Sequence, residues 1–261
     1  MPIRFAGVVG TDLIKREPLE KMRRQGFDGV EVFLWRLSRE QREKAADSVI
    51  HLTKELGLAV SDVGGGPSLV DLGLPEESER ALALGEEFLN VAHSVGAKVS
   101  LVPSFRAPPG AEREKVLTRA GESLKKLDKA ARNLGVYLTI EPLNRYETNL
   151  LASMAGTVEY IDALGTEMVR LMADLYHMSI EEASTPAALR TASKHLVHMH
   201  VSESHGGYPG TGTVNYGEVF RVLKEVKYDG FMSIEWHKAV GDQVEAYGKA
   251  LPYLKALYAV I

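Results

Sequence analysis

Several predicted strands of this chain end at a residue that could bind a metal ion or move a proton. Residues 136–140, VYLTI, have the β-branched and aromatic composition of a buried strand, and Glu141 follows them directly. Pro142 then ends the strand, because proline restricts the residue before it and cannot donate to a central ladder. We therefore predict that Glu141 lies at the rim of a sheet or barrel. Three later predicted strands carry comparable groups at or near their ends: Asp174, His200 and Glu235.

These four groups predict a shared metal site. Taken singly, Glu141 and Glu235 could be partners of rim ion pairs. Asp174 could cap a helix, and His200 could be a hydrogen-bonded core histidine. Carboxylates that converge on one rim would repel one another, however, and a divalent cation is the simplest way to neutralise them. Oxygen and imidazole ligands suit Mn²⁺, Mg²⁺ or Co²⁺ better than zinc, and the absence of cysteine excludes thiolate ligands and disulfides.

Other residues near the strand ends are candidates for substrate contact. His177 follows Asp174 by three residues, whereas His198 precedes His200 by two and should support it from one layer deeper in the fold. The proline-rich loop after the fourth predicted strand carries Arg106 and could be an active-site lid or plain surface. The glycine-rich loop after the seventh carries His205, and its position beside His200 predicts a role in the active site. His237 is a weaker candidate for the same rim. Several aromatic residues could form either an apolar wall of the site or ordinary core packing: Phe33, Trp35, Phe105, Tyr208 and Trp236.

The spacing of apolar runs predicts an α/β fold, a (β/α)8 TIM barrel formed by a single domain over residues 1–261. Successive strands begin about 25 to 40 residues apart, and a chain of 261 residues matches the usual size of this barrel. Catalytic groups are then expected where strands run into helices. The eight predicted strands are Ile3–Val9, Gly29–Phe33, Ala59–Val63, Lys98–Val102, Val136–Glu141, Met168–Asp174, Val197–Val201 and Gly230–Glu235. The predicted helices are Pro18–Arg24, Arg39–Leu56, Glu76–Val95, Ala111–Leu134, Ser153–Leu164, Thr185–Ser193, Tyr216–Val226 and Gln243–Tyr258.

Charge and hydropathy narrow the classes of function. The net charge of -4 and the sequence pI near 6.1 provide no cationic surface for nucleic acid or for an anionic membrane. No apolar run approaches the roughly 18 residues that a membrane span requires. The N-terminal segment MPIRFAGVVG lacks the apolar core of a signal peptide, so we expect a cytoplasmic protein.

A family resemblance follows from motifs along the whole chain. EPLNRYE at 141–147, DLYHM at 174–178, HMHVSE at 198–203, PGTG at 209–212 and SIE at 233–235 resemble the xylose-isomerase-like sugar isomerases and epimerases. The ketose 3-epimerases related to D-tagatose and D-psicose 3-epimerase are the most similar group. FDGVEVF at 27–33 also fits the second strand of that superfamily.

This resemblance implies a function and a set of residue roles. It implies inversion of C3 of a free ketose through an enediolate, with Glu141 and Glu235 as the acid–base pair. The implied cofactor is one divalent ion, with Mn²⁺ favoured and Co²⁺ or Mg²⁺ as alternatives. A small sugar is the expected substrate, and a homodimer or homotetramer the expected assembly. The implied metal ligands are Glu141, Asp174, His200 and Glu235, and the candidate substrate contacts are Glu147, His177, Glu203, His205, Arg106 and Trp35.

One departure from the family pattern leaves the substrate open. Ketose 3-epimerases usually carry an arginine about six residues beyond the metal histidine, and this chain has Gly206 there. His205, Arg106 or Arg145 could replace that cation. The alternatives are an aldose–ketose, hydroxypyruvate or inosose isomerase or dehydratase, and more remotely an endonuclease of the endonuclease IV type or a non-catalytic sugar-binding barrel.

Overall fold

Eight parallel strands close into a barrel in chain order, in a computed structural model that describes residues 3–236 and 241–261. The strands are β1 (Arg4–Gly10), β2 (Gly29–Phe33), β3 (Ala59–Gly64), β4 (Val99–Pro103), β5 (Tyr137–Glu141), β6 (Val169–Asp174), β7 (Leu196–Val201) and β8 (Phe231–Ile234). Helices cover the barrel from outside, so the strands are buried on both faces and carry nearly continuous apolar runs. The predicted (β/α)8 fold is confirmed. His237, the weaker rim candidate, lies outside the described residues.

The helices follow the strands in the alternation that the sequence predicts. They are α1 (Arg16–Gln25), α2 (Arg39–Leu56), α3 (Leu69–Gly73), α4 (Ser78–Ser94), α5 (Arg113–Leu134), α6 (Met154–Leu164), α7 (Leu175–Glu181), α8 (Thr185–Ala192), α9 (Tyr216–Glu225) and α10 (Gln243–Val260). Two of them, α3 and α7, were not predicted. A capping box between Ser68 and Asp71 begins α3, and Asp174 at the end of β6 caps α7. No helix among the described ranges is both long and apolar enough to span a membrane.

Glycines end several of the helices that return the chain to the bottom of the barrel. Gly57 after α2 and Gly135 after α5 have φ of 65° and 64°, in the left-handed region where a side chain is strained. These short turns leave the longer loops at the carboxyl ends of the strands. The barrel therefore presents its strand-end side chains at the opposite rim from these turns.

The register of the barrel brings the chemically interesting residues to one level. Asp174 pairs with His200 across β6 and β7, and His200 pairs in turn with Ser233 of β8. Glu141 pairs with Pro103 across β4 and β5. Apolar side chains fill the space between the strands and the helices, whereas polar groups gather inside the barrel below the rim. Pairing, rather than proximity in sequence, thus assembles the site.

Candidate functional site

The four predicted metal ligands meet at the carboxyl end of the barrel. One ligand atom from each of Glu141, Asp174, His200 and Glu235 lies within 4.8 Å of the corresponding atoms of the other three. Nδ1 of His200 is 2.9 Å from Oε2 of Glu235 and 3.5 Å from Oε1 of Glu141. The first three residues are buried, and the side chain of Glu235 is 20% exposed. The structure brings together all four residues that the sequence singled out.

Each ligand is held by the element that carries it. Oδ1 of Asp174 accepts the N–H of Tyr176 at 2.7 Å, so the carboxylate that ends β6 also caps α7. Its Oδ2 atom lies 3.6 Å from Nε2 of His177. Glu235 follows β8 directly, and its backbone N–H donates to the carbonyl of Val201 in β7 at 3.2 Å. Side chains fixed in this way converge without needing the loops to close.

The donor set fits a hard divalent cation. Three carboxylates and one imidazole are the ligands that Mn²⁺, Mg²⁺ and Co²⁺ accept. Nδ1 of His200 is buried, and within the described part of the chain carboxylate oxygens surround it without forming a well-aligned hydrogen bond. A buried nitrogen of this kind needs a proton or a metal ion to be stabilised there.

The charges of the site are strongly coupled to its burial. Burial raises the pKa of Glu141 and outweighs the opposing attraction of His200. Burial also acts to lower the pKa of His200, but the charges of Glu31 and Glu235 outweigh it and raise that pKa well above its ordinary value. In the absence of a metal ion, a protonated imidazole therefore supplies positive charge where the carboxylates converge. A divalent cation would displace that proton and take over this role.

A second buried layer lies beneath the ligands. Oε1 of Glu31 is 2.8 Å from Nε2 of His200, and its Oε2 is 2.8 Å from Nε2 of His198. Glu31 is fully buried; burial acts to raise its pKa, but His200 and His198 prevail and hold that pKa far below the usual range. Asp62 is equally buried, and no side chain among the described residues forms a hydrogen bond with its carboxyl group. Burial and the charge of Glu31 raise the pKa of Asp62 well above its usual value.

This layer agrees with the expectation for His198 and adds two residues that the sequence analysis missed. His198 does lie deeper than His200, and it supports that ring through the shared carboxylate of Glu31. Glu31 and Asp62 sit in the middle of apolar strands, GVEVF and AVSDVG. A carboxylate inside a strand buried on both faces is costly unless it has a partner, and that cost was the available signal.

The loop after β5 orients His177, one of the predicted substrate contacts. Nδ1 of His177 accepts the backbone N–H of Asn144 at 3.1 Å and lies 2.8 Å from Nδ2 of the same residue. Nδ2 of Asn144 also donates to Oε1 of Glu147 at 2.7 Å. Because a backbone N–H can only donate, Nδ1 of His177 is unprotonated and the neutral ring carries its proton on Nε2. Asn144, which is buried and was not predicted, thus joins the two predicted contacts, His177 and Glu147.

A cavity of about 140 Å³ opens beside the ligands. Glu141 and Glu235 line it together with His177, and Trp35 and Phe105 form its aromatic side. The two aromatic rings lie 5.4 Å apart, and Trp35 remains 47% exposed. Trp35 is therefore placed where a bound molecule would touch it. A larger crevice, of about 980 Å³, lies between α2 and α4 and contains none of the four ligands.

The two predicted cations from the upper loops are engaged elsewhere. The guanidinium of Arg106 donates to the carbonyls of Arg145 at 2.6 Å and Thr148 at 3.1 Å, which ties the loop after β4 to the loop after β5. Arg145 itself forms an ion pair with Glu181 of α7 at 2.8 Å. Neither arginine lines the cavity beside the ligands. Arg106 therefore joins two loops beside the site and does not face the cavity.

The glycine-rich loop after β7 uses its polar residues internally. The carboxylate of Glu203 is buried and accepts the N–H groups of Gly210 at 2.7 Å and Val214 at 3.1 Å. His205 is exposed and its ring lies over Gly212 of the same loop. Gly206, at the position of the family arginine, has φ of 79°, which favours glycine. The structure thus gives Glu203 the task of bracing a loop, and neither Glu203 nor His205 lines the cavity.

Comparisons with known proteins identify the family of this chain. Residues 19–257 match the family described as xylose isomerase-like TIM barrel. The chain belongs to the xylose isomerase-like TIM barrel family. The resemblance inferred from the motifs is confirmed at that level.

Named relatives of this xylose isomerase-like barrel are sugar epimerases. The chain is 30% identical over 251 residues to 3-dehydro-D-guloside 4-epimerase of Escherichia coli, covering 91% of this chain and 94% of the relative. It is also 30% identical over 227 residues to D-psicose 3-epimerase of Agrobacterium fabrum, covering 83% and 77%. A crystal structure of the E. coli 3-keto-D-glucoside 4-epimerase in apo form superposes with a TM-score of 0.85 at 27% identity, covering 98% of this chain and all of that one.

Proposed function

We propose that this chain is a metal-dependent epimerase that inverts a carbon atom next to a ketone in a sugar. The observation that carries the proposal is the presence of Glu141 and Glu235 in one ligand cluster and on the wall of one cavity. Inversion requires access to the reacting carbon from both faces, and two carboxylates at one site provide it. The relatives from E. coli, Agrobacterium fabrum and Arthrobacter globiformis are named epimerases, which supports an enzyme over a non-catalytic sugar-binding barrel.

In this proposal, Glu141 and Glu235 exchange protons with opposite faces of the substrate. A divalent cation bound by the four ligands would stabilise the negative charge that develops on the ketone oxygen when the neighbouring proton leaves. One glutamate removes the proton, and the other returns a proton to the opposite face.

His177 and Glu147 position the substrate in this proposal. The proton on Nε2 of His177 makes that nitrogen a donor to a sugar oxygen, since Nδ1 is already an acceptor for Asn144. Glu147 is about half exposed and lines the same cavity, so its carboxylate can accept from a sugar hydroxyl. Trp35 and Phe105 offer an apolar surface to the C–H face of the sugar.

Two substrate classes fit this chemistry. A free 2-ketose carries its acidic hydrogen at C3, whereas a 3-keto glycoside carries one at C4, and each carbon is adjacent to a ketone. The 3-epimerase reading rests on the motifs and on relatives such as the Agrobacterium enzyme. The 4-epimerase reading is favoured by the relative that matches nearly the full length of both chains and by the similarly complete structural match. The glycine at 206 also departs from the 3-epimerase pattern.

Isotope incorporation tests the proposed function. The protein, saturated with Mn²⁺, is incubated in D₂O with free ketohexoses, free ketopentoses and 3-keto glucosides. We expect one class to yield an epimer with deuterium at the inverted carbon. In the free ketoses, deuterium only at C1, or at C2 of an aldose product, would instead indicate aldose–ketose isomerisation. No exchange with either class, in protein shown to contain the metal, would overturn the proposal.

The identity of the ion and the assembly complete the proposal. We favour Mn²⁺. Three carboxylates and one imidazole also accept Co²⁺ and Mg²⁺, which are the alternatives. Metal analysis of protein purified without added metal would identify the ion. We propose a homodimer or homotetramer, which light scattering would test directly.

A further inference from the structure

Glu31 occupies an unusual place beneath the proposed metal centre. It is fully buried inside the barrel, and its two carboxylate oxygens each bond one imidazole: Nε2 of His200 and Nε2 of His198, both at 2.8 Å. His198 is also within 3.3 Å of the hydroxyl of Ser233. Both histidines that contact the carboxylate of Glu31 belong to strand β7.

This arrangement fixes the protons of both rings. An ionised carboxylate can only accept hydrogen bonds, so Nε2 must carry a proton in His198 and in His200 alike. Nδ1 is then the one nitrogen of His200 that can release its proton to a metal ion. That atom is also the one that faces the carboxylates of Glu141 and Glu235.

We propose that Glu31 is a positioning residue of the metal centre, which sets the protonated nitrogen and the ring orientation of His200 and is itself anchored by His198. The inference rests on the assignment of His200 as a metal ligand in the proposed function. Carboxylates that accept the second N–H of a ligating histidine fix its tautomer and raise its basicity, and their loss typically weakens metal affinity 10- to 100-fold. Glu31 does not line the cavity that Glu141 and Glu235 line.

The substitution Glu31→Gln tests this inference with little change of shape. A glutamine side chain has one acceptor and one donor group, so it cannot accept N–H bonds with separate oxygens from both rings. If its amide faced His200, Nε2 of that ring would have to become the acceptor, and the proton would move to the metal-binding Nδ1. We expect the dissociation constant for Mn²⁺ to rise by about 10- to 100-fold, as measured by titration calorimetry.

Asp62→Asn is the matched control. Asp62 is as deeply buried as Glu31, belongs to the same cluster within 4.8 Å, and loses a carboxylate in the same chemical change. It has no side-chain hydrogen bond to either histidine. We expect its Mn²⁺ affinity to stay close to that of the unaltered protein. Equal weakening in both variants would overturn the positioning role, because replacing any buried carboxyl group of this cluster by an amide would then explain the result.

A spectroscopic readout separates this inference from the proposed function. In protein labelled with ¹⁵N-histidine and saturated with Mg²⁺, we expect His198 and His200 each to show a protonated Nε2. A proton on Nδ1 rather than Nε2 in either ring would overturn the inference without any variant. So would a second equivalent of metal that disappears in Glu31→Gln, because Glu31 would then be a ligand itself. Failure to bind any metal would refute the proposed function, while the same spectrum of metal-free protein would still test the hold of Glu31 on Nε2.

Discussion

Replacement of Asn144 by alanine should damage the site without touching a metal ligand. The side chain of Asn144 contacts Nδ1 of His177 at 2.8 Å, donates to Glu147 at 2.7 Å and accepts the N–H of Tyr146 at 3.0 Å. Alanine removes all three contacts. The backbone N–H of residue 144 would still reach His177, so the tautomer of the ring should persist while its position loosens.

The size of the effect follows from these contacts. Hydrogen bonds of this kind contribute about 1 kcal/mol each, so we expect the free energy of unfolding to fall by about 1–3 kcal/mol. Misplacement of a positioning group by about 1 Å can cost about 100-fold in rate. Because one anchor of His177 survives, we expect kcat/KM for epimerisation to fall by about 10- to 100-fold. Affinity for Mn²⁺ should be unchanged.

Initial rates at saturating Mn²⁺, combined with urea unfolding, provide the assay. Asn149→Ala is the control, since Asn149 lies in the same segment and its side chain, among the residues that the structure describes, accepts only the N–H of Ala107, at 2.9 Å. We expect that control to lose some stability and keep its kcat/KM. If Asn144→Ala lost stability but kept normal kinetics, the positioning of His177 and Glu147 by this residue would be refuted.

Three further predictions concern the metal, a loop and a turn. Because the pKa of His200 is raised, the metal-free ring keeps its proton at neutral pH. Binding of Mn²⁺ should therefore release about one proton, and its affinity should fall roughly tenfold per pH unit below that pKa. Calorimetry in buffers of different ionisation enthalpy would measure the proton release, and its absence would contradict the prediction. Glu203→Gln should lower the free energy of unfolding by about 1–3 kcal/mol, since the carboxylate of Glu203 accepts two loop N–H groups. Its affinity for Mn²⁺ should stay intact, and an altered affinity would contradict a purely structural role in the loop. Gly65→Ala should lower the Tm by about 2–4 °C or more. The reason is that φ of residue 65 is 105° and an added Cβ would lie 2.8 Å from the backbone nitrogen of Trp35. An unchanged Tm would show that alanine fits this position without backbone strain.

The sequence predicted the barrel well because its signals are local. Apolar runs recur at each βα unit and glycines end several of the helices. The observed strands differ from the predicted ones by at most one residue at either end. The short helices α3 and α7 were missed for different reasons. The segment of α3 lies in a glycine- and proline-rich loop, while α7 starts with no break after β6, where Asp174 is both strand end and cap.

The site was predicted where its residues share a motif, and less well where long-range partners decide. Glu141, Asp174, His200 and Glu235 end successive strands, and a closed barrel necessarily brings such ends together. The polar partner of a loop residue is not visible in sequence. Arg106 was expected to face substrate, for instance, yet it binds two carbonyls of a neighbouring loop.

Glu31 and Asp62 show a related limit of sequence reasoning. Their strands look apolar, and only the closure of the barrel places their carboxylates beside two histidines of β7. A buried acidic residue in such a strand indicates an unknown partner, but its sequence position does not reveal which one.

Glu141 and Glu235 are proposed to act on opposite faces of the substrate, and isotope exchange in two single variants measures whether they do. Glu141→Gln and Glu235→Gln, each saturated with Mn²⁺, would be incubated in D₂O with either epimer of the substrate. If each glutamate serves one face, each variant should exchange the hydrogen of one epimer only, the two variants should differ in which one, and neither should interconvert the epimers. Exchange of both epimers by the same variant would contradict the account.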